Sequence, residues 1–150
     1  MGASHFTGPL ISGPILQTSG TTVGQDVADV GTVIVSQTSA LVQSGTVTTA
    51  VSTNIVIPAY STITDINLIV STAFTGTFTV GTSATATELV GTGATITSVG
   101  NVAFPPTTQA NALLWANTGT SDVRIFTKPA STGSGVGLLV VTYIQGINAT

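Results

Sequence analysis

Residues 63–81 constrain the fold of this chain more than any other stretch. Apolar and polar side chains alternate in its first half, and a second alternation follows after Gly76. Because successive side chains of a strand point to opposite faces of a sheet, this alternation places one set in a core and the other toward solvent. The stretch therefore predicts two strands joined by a turn. Their buried side chains are predicted to be Ile66, Leu68, Val70, Phe78 and Val80.

Similar β-branched or alternating runs recur along the chain, separated by turns that contain Gly, Pro or Ser. Further strands are predicted over residues 32–37, 46–57, 95–99, 112–117, 122–128 and 136–144, and a single helical turn over 84–89. About eight short strands with little helical pattern are typical of a sandwich or a barrel, and eight strands in two packed sheets suit a jelly roll. We therefore predict an all-β chain with a single, jelly-roll-like β-sandwich over residues 30–150.

The alternation also predicts which side chains fill the space between the two sheets. One face of each predicted strand contributes, and the only tryptophan of the chain is added because large aromatic side chains dominate cores and interfaces. The predicted core is Val51, Ile55, Ile66, Leu68, Val70, Phe78, Val80, Trp115, Val123, Ile125, Leu138 and Val140. The order of the strands within the sheets does not follow from the sequence.

Residues 1–29 are predicted to form an extended N-terminal arm outside the sandwich. Two Gly-Pro pairs, at residues 8–9 and 13–14, remove backbone donors and favour extended chain. The apolar content of the segment is high for a disordered leader, which is the alternative interpretation. We predict that the arm docks on a surface, either of its own domain or of a neighbouring subunit. Its attachment residues are predicted to be Phe6, Leu10, Ile11, Ile15 and Leu16.

The charge content of the chain excludes several classes of partner. Only 5% of the residues are charged, the formal net charge is -3, and Arg124 and Lys128 are the only basic residues. Nucleic acids and anionic membrane surfaces require clusters of Lys and Arg, so we predict neither as a partner. No apolar run reaches the ~18 residues of a spanning helix. A nearly uncharged surface favours association between copies, with a Thr-covered monomer as the alternative.

The sequence also lacks the usual residues of enzymatic chemistry. Cysteine is absent, and the only histidine, His5, lies in the predicted arm. Asp26 and Asp29 are not held together by a helix pattern, and Asp65 and Glu88 can meet only through folding. No spacing of acidic ligands matches a calcium loop. We therefore predict that the chain is not an enzyme, with no catalytic, cofactor-binding or metal-binding residues and no cofactor.

Four stretches carry a resemblance to a known group of proteins. They are HFTGPLISGP at residues 5–14 and the longer segments 57–87, 112–127 and 131–145. These segments resemble small head-associated proteins encoded by tailed bacteriophages. The resemblance implies a capsid decoration or cement protein that is rich in β-structure, commonly trimeric, and bound to the outer surface of the phage head.

The resemblance also implies partners and a location. The partners would be the major capsid protein and further copies of the chain in a homotrimer, and the location would be the outer surface of the capsid in the virion. Two other functions stay open at this point. One is a receptor- or glycan-binding module of a phage fibre or tip, for which Tyr60, Trp115 and Tyr143 are the available aromatic residues. The other is a major capsid subunit of jelly-roll type, which the absence of a basic arm disfavours.

Overall fold

The computed structural model describes residues 34–43 and 49–145 of the 150-residue chain. The described elements are β1 (Ile34–Val42), β2 (Val51–Ile57), β3 (Thr62–Thr72), β4 (Thr77–Gly81), β5 (Val90–Thr95), β6 (Gly100–Ala103), α1 (Gln109–Ala116), β7 (Val123–Pro129) and β8 (Val136–Ile144). The predicted arm and its boundary with the sandwich at residues 29 and 30 lie outside the described residues and stay predictions.

The strands form two antiparallel sheets with a jelly-roll order. The first sheet has the order β1-β8-β3-β6 and the second the order β2-β7-β4-β5. Each strand of the first half of the chain pairs with its mirror strand in the second half: β1 with β8, β2 with β7, β3 with β6, and β4 with β5. The chain is thus one long antiparallel ribbon rolled into two sheets, which is the jelly-roll arrangement. The predicted β-sandwich is confirmed.

The core lies between the two sheets, and the alternation predicted part of it. Seven of the twelve predicted core residues are buried, and Trp115 and Val123 are partly buried and packed against the cluster. The rings of Phe74 and Phe78 meet edge to face, with centroids 4.9 Å apart. The seven confirmed residues are Ile55, Ile66, Leu68, Val70, Phe78, Val80 and Ile125.

The core prediction is wrong at three positions, in β2 and β8. Val51, at the start of β2, is 48% exposed. Leu138 and Val140 are half-buried and point away from the core, whereas Leu139 and Val141 are buried. The run of residues 136–144 is apolar on both sides, so alternation cannot decide which side faces inward. Pairing with β1 and β3 on either side decides it.

Local structure is also predicted wrongly where the chain lacks alternation. The predicted strand at 112–117 belongs to the helix α1, which begins after Thr108. The Thr108 hydroxyl accepts a hydrogen bond from Asn111 N, and the Asn111 side chain accepts one from Thr108 N, so a capping box starts the helix. The predicted strand at 95–99 falls mostly on the connection between β5 and β6.

The predicted helical turn at residues 84–89 does not form, and this segment lies in the connection between β4 and β5. The side chain of Glu88 accepts hydrogen bonds from the amides of Thr82 and Thr87 instead. Side-chain acceptors that bind nearby backbone donors compete with helix formation, which explains the difference.

Gln37 connects the edges of the two sheets. It lies on β1, which is an edge strand of the first sheet, beside β2, an edge strand of the second. Its Nε2 donates to the carbonyl of Val56 at 2.7 Å and to the hydroxyl of Tyr143 at 2.6 Å, and its Oε1 accepts from Val56 N at 3.1 Å. The amide thus reproduces the donor and acceptor of a neighbouring strand. The backbone carbonyl and amide of Val56, on the edge strand β2, therefore have hydrogen-bond partners.

Candidate interaction surface

The outward side of the first sheet carries a contiguous group of aliphatic side chains, which we call the apolar patch. Strand register brings them together: Ala40 of β1 lies opposite Leu138 of β8, and Leu138 lies opposite Ile69 of β3. Val42 and Val136 form the next row toward one end of the sheet. The apolar patch consists of Ala40, Val42, Ile69, Val136, Leu138 and Val140.

Solvent reaches the rim of the apolar patch more than its centre. Val42 is 68% exposed, Ile69 49% and Val136 41%, whereas Leu138 and Val140 are half-buried. The central pair is shielded because β8 lies between β1 and β3. Single exposed apolar residues are ordinary on a protein surface, but a contiguous apolar group on a sheet face is typical of an interaction site.

A polar row separates the apolar patch from the far end of the same face. The hydroxyls of Ser36 and Thr142 are 2.7 Å apart, and Asn67 Nδ2 donates to the carboxylate of Asp65. Among the described residues, Asp65 is the only charged side chain on this face. Beyond the row lies Ile34, which is 69% exposed. Thr38 and Asn67 flank Val140 in the next row, and Asn101 of β6 lies opposite Ile69, so polar side chains border the apolar patch on this face.

Buried hydrogen bonds fix the end of the sheet that carries Val42 and Val136. Gln43 directly follows β1 and is only 3% exposed. Its Nε2 donates to the carbonyls of Thr75 and Ser131 at 2.9 and 2.8 Å, and its Oε1 accepts from Thr75 N at 2.8 Å. One side chain thus connects β1 to the loops that precede β4 and β8, which holds these strand ends in register.

The outward side of the second sheet has the opposite chemical character. Its exposed positions include Ser52 and Asn54 on β2, and Arg124 and Lys128 on β7. Arg124 Nη1 donates to the carbonyl of Thr53 at 2.8 Å. Both basic residues of the chain therefore lie on the side away from the apolar patch. The two outer faces present two different surfaces to partners.

The described part of the chain contains no group of three or more His, Cys, Asp or Glu side chains arranged to hold a metal ion. Nor does that part include a helix long and apolar enough to cross a membrane. Trp115 donates from Nε1 to the carbonyl of Leu89 at 3.1 Å, and Tyr143 is buried. Two of the three aromatic residues considered for glycan binding are therefore held in the body of the sandwich.

The pKa of the Glu88 carboxyl group is well below its usual range. Partial burial acts to raise its pKa, but hydrogen bonds from the hydroxyls of Ser83 and Thr85 and from backbone amides outweigh that effect. The amide donors are Thr82 N at 3.0 Å and Thr87 N at 3.1 Å. The net result is a pKa lowered from 4.5 to about 2. The carboxylate stabilises the β4–β5 loop in its ionised form.

We expect acid to weaken the sandwich through Glu88. Because the pKa of Glu88 is about 2 in the folded state and 4.5 without these bonds, its stabilising contribution is complete above pH 4.5. That contribution disappears as the pH falls from 4.5 toward 2. Glu88→Gln should therefore be less stable than the natural chain at pH 7, and the difference should shrink as the pH approaches 2.

Chemical denaturation at several pH values measures this difference. Ser83→Ala is the matched variant, because it keeps the carboxylate and removes one hydrogen-bond donor. The pH dependence of its stability should lie between that of the natural chain and that of Glu88→Gln. An unchanged difference between the natural chain and Glu88→Gln from pH 7 to pH 2 would contradict the assigned role.

The predicted attachment residues and the apolar patch are different sets. Phe6, Leu10, Ile11, Ile15 and Leu16 lie outside the described residues, so their role stays a prediction. The apolar patch was missed because its central residues were assigned to the core. The available signal was the run at 136–144, where apolar side chains occupy both faces of one strand. One of those faces has to lie outside the core.

Comparison with known proteins adds little to this description. No family model matches the chain, and no curated protein matches it. Among solved structures, it is similar to a chain of the "Cyanophage Pam1 capsid asymmetric unit", with 20% sequence identity and a TM-score of 0.41 over 97% of this chain and 99% of that one. A likeness at this level assigns neither a fold nor a role.

Proposed function

We propose that this chain is a structural virion protein that decorates the head of a tailed bacteriophage. In this proposal it binds the major capsid protein on the outer surface of the head as a homotrimer and stabilises the shell. The assignment to phage heads is supported by the sequence resemblance at residues 5–14, 57–87, 112–127 and 131–145. Jelly rolls serve many functions, so the fold by itself does not select this one.

The observation that carries the proposal is the apolar patch on an almost uncharged jelly roll. Apolar surface removed from water contributes about 25 cal/mol per Å². The patch exposes Val42, Ile69 and Val136 on a face where Asp65 is the only charged residue described. Such a surface gains free energy by being covered permanently. A protein that works as part of an assembled particle meets that requirement.

The charge distribution supports the outside of the shell rather than its interior. A protein that faces packaged DNA neutralises phosphates with clusters of Lys and Arg. This chain has two basic residues, Arg124 and Lys128, and its net charge is -3. An acidic surface would be repelled by the genome, so we place the protein on the outer side of the capsid.

Heads that lack this protein provide the direct test. Purified chain added to them should bind up to a fixed copy number and appear as density on the outer surface by cryo-electron microscopy. Decorated heads should also resist heating better than bare heads. Leu113→Lys replaces an exposed apolar residue of α1, outside the apolar patch, and should bind heads normally. It controls for the effect of adding a lysine to the surface.

Two outcomes would contradict this proposal. Failure of the natural chain to bind heads over the micromolar range would exclude decoration. Density inside the shell would exclude the outer location. Binding to glycans on an array, without binding to heads, would favour the fibre or tip module instead.

A further inference from the structure

We infer that the apolar patch is the surface through which copies of this chain contact one another. The inference names the surface for the self-association proposed above and rests on that part of the proposed function alone. It does not depend on what else the assembled protein binds. The occupant of the patch is a second copy of the same chain.

The shape of the patch fits another sheet. Its members are aliphatic and lie in neighbouring rows on three adjacent strands, β1, β8 and β3. Apolar sheet faces are ordinarily buried by packing against a second sheet about 10 Å away, with the side chains interdigitating. The inner face of the first sheet is already covered by the second sheet of the sandwich. The outer face offers the same kind of surface without a described element over it.

The size of the face is sufficient for a specific contact. With about 4.8 Å between strands and 3.4 Å per residue, four strands of these lengths present roughly 500 Å² of outer face. Two copies that covered the whole face, its polar positions included, would bury about 1,000 Å² together, which is the lower bound for a biological interface, so the contact extends beyond the apolar patch. The polar row of Ser36, Thr142, Asp65 and Asn67 crosses this area and supplies hydrogen-bonding groups within it.

The charges favour a second copy over a different protein. Recognition of an unlike partner usually relies on complementary charge, which also steers its approach. The apolar patch contains no charged residue, and both basic residues, Arg124 and Lys128, lie on the other sheet. Two copies can therefore meet through their patches without burying an ammonium or guanidinium group. In the proposed homotrimer the three patches would face the three-fold axis, where each aliphatic surface contacts the same surface of the other copies; patches that paired face to face about a two-fold axis would give a dimer instead.

Lysine placed in the patch should prevent the contact. Ile69→Lys and Val136→Lys each put an ammonium group on a rim position that is already partly exposed, so the folded subunit can accommodate it. Sedimentation of the full chain across a concentration series measures association. We expect the natural chain to associate at micromolar concentration, and each variant to raise the dissociation constant at least about 30-fold, because the contact would then bury an ammonium group without a partner.

Two controls match these variants in chemistry and exposure. Leu113→Lys and Val99→Lys replace apolar residues that are 66% and 68% exposed and lie off the first sheet. They should associate like the natural chain. Association should also change little between low and high salt, because the patch offers no charges to be screened. Ile69→Thr keeps a β-branched side chain and tests the patch if a lysine variant fails to fold.

The inference is overturned if the natural chain is a monomer or if the patch variants associate normally. It is also overturned if the control variants weaken association as much as the patch variants do. Particle binding separates this inference from decoration. Association without head binding would refute decoration alone, and head binding by a monomer would refute the shared interface and the homotrimer but not decoration.

Discussion

Leu68→Ala is expected to lower the free energy of unfolding by about 2–5 kcal/mol, the range observed when a buried leucine is truncated and a cavity remains. Leu68 lies in the middle of β3, is 0% exposed, and belongs to the cluster between the two sheets. Strands pair on both sides of β3, with β8 and β6, so the backbone has little freedom to close the cavity. Chemical denaturation monitored by circular dichroism measures the change.

The neighbouring residue provides a matched control. Ile69 follows Leu68 on the same strand but points outward and is 49% exposed. Ile69→Ala should therefore cost the isolated subunit clearly less than Leu68→Ala, because its methyl groups are already partly in water. A cost below about 0.5 kcal/mol for Leu68→Ala, well under the usual range for such truncations, would remove this residue from the core.

Deletion of residues 2–16 is expected to abolish binding to phage heads while the chain remains soluble and rich in β-structure. The expectation comes from the sequence of the arm. Each of its large apolar side chains contributes about 1.5–3 kcal/mol when fully buried, and ordering the arm offsets part of that sum. Three arms on one trimer would act together through their effective concentration. Removing all three should therefore lower the affinity for the head much more than removing one.

A point-mutant version of the same test leaves the chain length unchanged. Phe6→Ala combined with Ile15→Ala should weaken binding to heads without lowering the melting temperature of the free protein. The control is the melting temperature itself, since an arm that stabilised its own sandwich would lower it when mutated. If the truncated chain still decorates heads at full occupancy, the arm is not the attachment device.

The two sets of variants address different contacts. The arm variants concern attachment to the capsid or to adjacent subunits, and the patch variants concern contacts between copies. A chain with an intact patch and no arm should still self-associate. A chain with a disrupted patch and an intact arm should bind heads weakly, because single arms lose the gain from linkage. Comparing the arm variants, the patch variants and their combination separates the gain in head binding that comes from linked arms from the contribution of each single arm.

Local patterns in the sequence determined much of the sandwich. The alternation around Ile66 and Leu68 reflects a strand with one buried face, and it needs no partner to be recognised. The same holds for Ile55 on β2 and Ile125 on β7, whose burial was predicted and is confirmed. The scarcity of charge follows from composition directly. These features depend on neighbours along the chain, so the sequence contains them.

Strand order and the outward face of β8 were decided by tertiary structure. The mirrored pairing of β1 with β8 joins residues such as Ile34 and Ile144, which are far apart in the sequence. In residues 136–144 both faces are apolar, so only the position of β8 between β1 and β3 sends Leu139 inward and Leu138 outward. A shift of one residue exchanges the two faces of a strand. Pairing across the sheet therefore determines which aliphatic side chains form the core and which form the apolar patch.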